Sequence, residues 1–205
     1  MEMIIMKEIS KLAQSVRAST IMAVDALAKQ MKADGYDVVG FGAGEPDFNT
    51  PENISQAGIE AIKQGKTRYT PAAGMVDLRK AVASQIKNDW GVDYDFTQVI
   101  VSSGAKHCVY IALKAITNPG DEIIIPAPFW VSYYEMVRMT DGTPVIVKAG
   151  EDQNFKITPE QLEAAITNKT KAFMLNNPSN PTGMVYSKEE LIALTDICVK
   201  HDIYI

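Results

Sequence analysis

The feature that most narrows the fold of this sequence is an alternation of short, wholly apolar, β-branched runs with longer helical patterns. Strand-like runs occur at residues 99–101, 122–125, 145–147, 172–175 and 203–205, and most gaps between them carry a helical repeat. A strand that is apolar on every residue is buried on both faces, and helices crossing between parallel strands are what cover both faces of a sheet. The pattern therefore predicts an α/β fold: a mainly parallel sheet flanked by helices.

Local signals fill in the elements. Val24, Leu27, Ala28 and Met31 share one face of a helix over residues 21–33 that Gly35 can end. A short strand is expected at 37–41. Thr50 and Pro51 read as the cap and first-turn proline of a helix reaching about Gly65. Met75, Leu78, Val82 and Ile86 recur at helical spacing before Gly91. Thr158-Pro159-Glu160-Gln161 and Ser187-Lys188-Glu189-Glu190 are capping boxes, in which the hydroxyl and the later side chain satisfy each other's free backbone donors. Residues 203–205 read as the opening of a buried strand with no turn after it, so the sequence is expected to be the N-terminal part of a longer protein.

Composition excludes several function classes. With 205 residues, 46% of them hydrophobic, the chain can bury a good-sized core. A net charge of −5 without long charge runs gives no reason to expect nucleic acid or an anionic membrane as partner. No apolar run approaches the roughly 20 residues of a membrane span. The first ten residues lack the pattern of a secretion signal, so a cytoplasmic location is expected. The two cysteines, Cys108 and Cys198, are expected to be small buried hydrophobes rather than a disulfide. The tripeptides beginning at Asn53 and Asn168 match a glycosylation pattern by chance in such a chain.

Three loops could carry chemistry. Val101-Ser102-Ser103-Gly104-Ala105-Lys106-His107 is a strand end, a small-residue turn and a helix start, which aims free backbone N–H groups at an anion. The helix-end field is worth only about 0.3–2 kcal/mol, so Ser102, Ser103 and Lys106 are the candidate extra donors. The plain alternative is an ordinary strand-to-helix turn. It is not a Walker loop, and residues 40–44 are not a dinucleotide fingerprint, because the glycine spacing fails in both. Asn176-Asn177-Pro178-Ser179-Asn180-Pro181-Thr182-Gly183 and Pro126-Ala127-Pro128-Phe129-Trp130-Val131-Ser132-Tyr133 each follow a predicted strand, at the carboxyl edge where open α/β sheets place ligands. Asparagine amides there can both donate to an oxyanion and accept, and a large flat ring lies near the same edge, although a structural turn and core packing would use the same residues. His107 with Cys108, and Cys198 with His201, lack metal-ligand spacing, and no Gly-x-Ser-x-Gly elbow is present. No metal is expected.

Taken in order, Ala43-Gly44-Glu45-Pro46-Asp47-Phe48, Arg68-Tyr69-Thr70-Pro71-Ala72-Ala73-Gly74, Ser103-Gly104-Ala105-Lys106, Pro128-Phe129-Trp130-Val131-Ser132-Tyr133 and Asn177-Pro178-Ser179-Asn180-Pro181-Thr182-Gly183 resemble the class I aminotransferases, pyridoxal-phosphate enzymes of fold type I. The Trp-Val-Ser-Tyr variant looks most like the bacterial-type aspartate aminotransferase branch. The resemblance implies a division into residues 1–50, an N-terminal arm with part of the small domain, and 51–205, an incomplete cofactor-binding large domain. It implies that the backbone of Gly104, Ala105 and Lys106 holds the phosphate of pyridoxal 5′-phosphate. By the same resemblance Trp130 stacks on the cofactor ring, Asn180 bonds the ring O3′ oxygen and Gly44 lets the substrate approach; Trp130 and Asn180 thereby also border the substrate. Tyr69 would reach the neighbouring subunit's phosphate, which implies a homodimer. Ala105 and Ser179 depart from the commoner residues at their positions.

The implied activity is transfer of an amino group between an L-amino acid, aspartate first, and a 2-oxo acid. The Schiff-base lysine is expected beyond residue 205, so no catalytic residue is assigned and a chain ending at Ile205 is expected to be inactive. A β-lyase or related cofactor-dependent enzyme of the same fold is the first alternative, and a non-catalytic aminotransferase-like regulatory domain the second.

Overall fold

A computed structural model of the chain describes residues 7–16, 20–42, 44 and 46–205. They divide into two compact units, one spanning Ile21–Cys108 and one formed by the N-terminal stretch to Thr20 with Val109–Ile205. In chain order the elements are α1 (Lys11–Ser15), α2 (Thr20–Ala33), α3 (Glu52–Lys63), α4 (Val76–Trp90), α5 (Gly104–Ile116), β1 (Glu122–Ala127), α6 (Ser132–Met139), β2 (Thr143–Lys148), α7 (Pro159–Ala165), β3 (Thr170–Phe173) and α8 (Lys188–Lys200).

The sheet lies in the second unit. Its order is β2-β1-β3, and both pairings are parallel. The isoleucine run of β1 shows why a central strand needs apolar residues throughout. Ile123 and Ile125 pack on one face with Leu113 of α5 and Met136 and Val137 of α6. Ile124 packs on the other with Leu162 of α7, Leu194 and Cys198 of α8, and Phe173. Each such side chain contributes about 1.5–3 kcal/mol by leaving water. The expected parallel sheet covered on both faces is what forms.

The predicted capping boxes start α7 and α8. Thr158 Oγ1 accepts the Gln161 N–H at 3.3 Å, while Gln161 Oε1 accepts the Thr158 N–H at 2.8 Å. Ser187 and Glu190 repeat the exchange at 3.2 and 2.7 Å. Glu163 of α7 then takes Lys200 Nζ at 2.7 Å and pairs with His201 Nε2 at 2.8 Å, which clasps the two helices.

In the first unit, Gly35 ends α2 with φ +88° and Gly91 ends α4 with φ +71°, both as expected. Several expectations are corrected. Residues 37–41 and 99–101 form no strand; an extended run needs a neighbour to complete its ladder, and neither has one among the described residues. Val101 N–H donates instead to the Ala73 carbonyl at 3.0 Å. Residues 203–205, in the second unit, make a single parallel bridge between Tyr204 and Ala172 rather than a strand. Pro51, not Thr50, occupies the cap of α3, and no side chain bonds there. On α4 the buried residues are Arg79 and Ala83, and Leu78 is exposed. Arg79 Nε reaches the Val99 carbonyl at 2.7 Å and its guanidinium lies over the Phe96 ring, which turns that face inward. Cys198 is buried as expected, whereas Cys108 is exposed.

Candidate functional site

Because β1 and β3 are parallel, the chain leaves both at the same edge of the sheet. After β1 it runs through Pro128, Phe129 and Trp130 into α6, and after β3 through residues 176–183. A small cleft opens between these two loops, lined among others by Phe129, Tyr133, Asn176, Ser179, Asn180 and Tyr186. It sits where open α/β sheets bind ligands.

The second loop is braced by its own side chains. Asn176 Oδ1 accepts the Asn180 N–H at 2.8 Å, and Asn177 Oδ1 accepts the Tyr186 N–H at 2.9 Å. Ser179 N–H donates to the Met184 carbonyl and Gly183 N–H to the Ser179 carbonyl, at 2.9 and 2.8 Å. The phenol oxygen of buried Tyr186 accepts the Ile157 N–H at 2.9 Å, which ties the loop's end to the body of the unit. Burial pushes the Tyr186 phenol above its ordinary pKa, helped by the nearby Glu190 carboxylate and opposed by the Ile157 bond. Lys156 Nζ holds that carboxylate at 2.6 and 2.8 Å and lies over the Tyr186 ring.

On the first loop, Trp130 is half-buried and meets Tyr133 edge to face, with ring centres 5.3 Å apart. The Tyr133 phenol is raised by burial. Asn180 therefore lines the cleft, whereas Trp130 stands on the same loop as Phe129 and touches the cleft through Tyr133.

The other unit carries the predicted anion turn. Gly104 begins α5 with φ +80°, a conformation open to glycine and strained for other residues. Ala105, Lys106 and His107 follow in the first turn, the part of a helix whose N–H groups point out along its axis. Ser102 Oγ lies 2.6 Å from His107 Nδ1, so the hydroxyl ahead of the helix is oriented by an imidazole inside it. Ser103, Ala105 and Lys106 are exposed. Tyr69 is fully exposed, and among the described residues a Cβ placed on Gly44 would meet no atom within 4 Å. Ala43 and Glu45, part of the first quoted motif, lie outside the described residues.

Sequence reasoning placed Tyr133 and Asn176 in the two candidate loops without giving either an individual role, and it did not single out Tyr186. The first had a signal in its three-residue spacing from Trp130; the others act through loop geometry that has no periodic signature. Among the described residues no group of three or more His, Cys, Asp or Glu is placed to hold a metal ion, and no helix is long and apolar enough to cross a membrane.

Comparison with known proteins adds the following. The family described as aminotransferase class I and II matches residues 36–205. An aspartate aminotransferase of Bacillus subtilis is 50% identical over 198 residues, which are 95% of this chain and 50% of that protein. An aspartate/prephenate aminotransferase of Cereibacter sphaeroides is 50% identical over 186 residues, 91% of this chain and 46% of that protein. A solved aspartate aminotransferase of Thermus thermophilus with maleate superposes with a TM-score of 0.94 at 42% identity, covering 97% of this chain and 52% of that one. The chain thus spans about half the length of the relatives it matches.

Proposed function

Because this chain belongs to the aminotransferase class I and II family, we propose that the full-length protein containing it moves an amino group between aspartate and a 2-oxo acid with the help of pyridoxal 5′-phosphate. The observation that carries this reading is the cleft at the carboxyl edge of β1 and β3, with Asn180 on a braced loop and an aromatic pair across from it, Trp130 on the other loop and Tyr133 in the first turn of α6. The names of the relatives support the substrate class, and because the chain covers about half their length the reading is made for the whole protein. The name of the Cereibacter sphaeroides relative puts prephenate next in line as a substrate.

The donor chemistry fits this cofactor. The Gly104 N–H is given to the Ser102 carbonyl at 2.9 Å, and the N–H groups that follow it in the first turn of α5, the Ser103 hydroxyl and the Lys106 ammonium are of the kind that donate to a phosphate dianion. Gly104, Ala105 and Lys106 would hold it, and Ala105 serves as well as a larger residue because only its N–H is used. Trp130 would cover the face of a pyridine ring, and the Asn180 carboxamide would donate to the ring's phenolic oxygen. Gly44 would leave room for the amino acid against the backbone, and exposed Tyr69 would reach the phosphate of a second copy in a homodimer. When bound, the cofactor supplies the electron sink that lets a Cα proton leave an amino acid. The residues of this chain bind and orient; the lysine that moves the proton is assigned to the part of the protein after residue 205. The arm and large-domain division at residue 50 belongs to the same proposal.

Uptake of the cofactor tests this reading. Full-length protein stripped and exposed to pyridoxal 5′-phosphate is expected to retain it through gel filtration, and pyridoxal without the phosphate is expected to wash away. Trp130→Ala is expected to weaken retention while leaving the far-ultraviolet spectrum unchanged. Equal retention of both compounds would remove the phosphate role of the α5 turn.

A further inference from the structure

Asn180 is held by a residue that no motif assigns. Its N–H donates to Asn176 Oδ1 at 2.8 Å across a turn of four residues, and Asn176 itself lines the cleft. Asn177 acts elsewhere, on the Tyr186 N–H, whereas the peptide joining Ser179 to Asn180 is held on both sides: Asn176 takes its N–H, and its carbonyl accepts the Gly183 N–H at 2.8 Å. Asn176 lies three residues past the end of β3, two residues after the Met174 N–H bond to the Ile124 carbonyl at 2.9 Å, which carries the sheet's hold on the backbone just beyond the strand. The bond thus relays the rigidity of the sheet to the main chain of Asn180. A side-chain oxygen is needed because an N–H in mid-turn has no ladder partner.

We propose that Asn176 is a positioning residue: its carboxamide oxygen sets the place of the Asn180 main chain, and through it the direction of the Asn180 amide toward the cofactor's phenolic oxygen. This rests on the assignment of Asn180 made above. Asn176 acts through Asn180, so its removal has no further effect once the Asn180 amide is gone.

The test uses full-length protein loaded with pyridoxal 5′-phosphate and follows the pH midpoint of the bound cofactor's visible absorbance, with the thermal midpoint of the cofactor-free protein as a control for folding. Asn180→Ala is expected to move the absorbance midpoint. Asn176→Ala is expected to move it the same way, by about half as much, and the double variant to match Asn180→Ala alone. Asn176→Ser keeps an acceptor on a shorter side chain; it is expected to fall between wild type and Asn176→Ala, and it serves if Asn176→Ala does not fold. An Asn176→Ala midpoint at the wild-type value, or a double variant shifted beyond Asn180→Ala, overturns the proposal while Asn180 keeps its role. No shift from Asn180→Ala overturns the role of Asn180, and this proposal with it.

Discussion

Asn176 and Asn177 are neighbours whose side chains grip different backbones, one that of Asn180 and the other that of Tyr186. Work of this kind falls to single atoms throughout the molecule. Thr158 Oγ1 satisfies one free donor at the start of α7, and its loss in Thr158→Ala is expected to cost about 1 kcal/mol in urea unfolding. Glu163 and Glu190 are among the surface carboxylates of the sheet unit that favour the folded state above acid pH. Hydrogen bonds from Lys200 and then His201 hold the Glu163 carboxyl below its usual range, and those from Lys156 and the Ser187 backbone do the same for Glu190. A carboxylate depressed on folding adds stability that is complete above its unfolded pKa, about 4.3, and fades as pH falls through the lower folded value. The melting temperature is therefore expected to be level above about pH 5 and to drop below about pH 4. Glu190→Gln is expected to lower the plateau and flatten that drop; an unchanged acid limb would mean the Lys156 pair does not matter to folding.

Elements differ in how openly the sequence declares them. β1 was legible because its three isoleucines serve two faces, and truncating the middle one, Ile124→Ala, is expected to cost about 2–5 kcal/mol. The helices α7 and α8 were legible because a capping box is a local contract between residues three apart. Residues 37–41 and 99–101 were misread as strands because strand formation depends on a partner elsewhere, which composition does not disclose. The second of these is pinned by something else. Gly74 has φ +100°, and a Cβ on it would lie 2.8 Å from Val101 Cβ, so the turn after Tyr69 packs directly on the run that leads into the α5 turn. Gly74→Ala is expected to destabilise the protein by about 1–3 kcal/mol. A neutral outcome would show that this packing gives way. In the candidate site, Asn180 could be read from its motif, whereas the brace from Asn176 could not: a bond between a side chain and a backbone group four residues on exists only once the turn is made.

At the scale of the whole molecule, the chain divides into two compact units, and the proposed binding residues fall in both: Gly44, Tyr69 and the α5 turn in one, Trp130 and Asn180 in the other. The chain also covers only about half of its relatives' length, so the central claim concerns the full-length protein. It is tested most directly by incubating that protein with pyridoxal 5′-phosphate, nitrogen-labelled aspartate and 2-oxoglutarate, and following the label. Appearance of labelled glutamate in equal amount to oxaloacetate, dependent on the cofactor, is the expected result. Release of the label as ammonia, or no movement of it with any 2-oxo acid, would contradict the assignment.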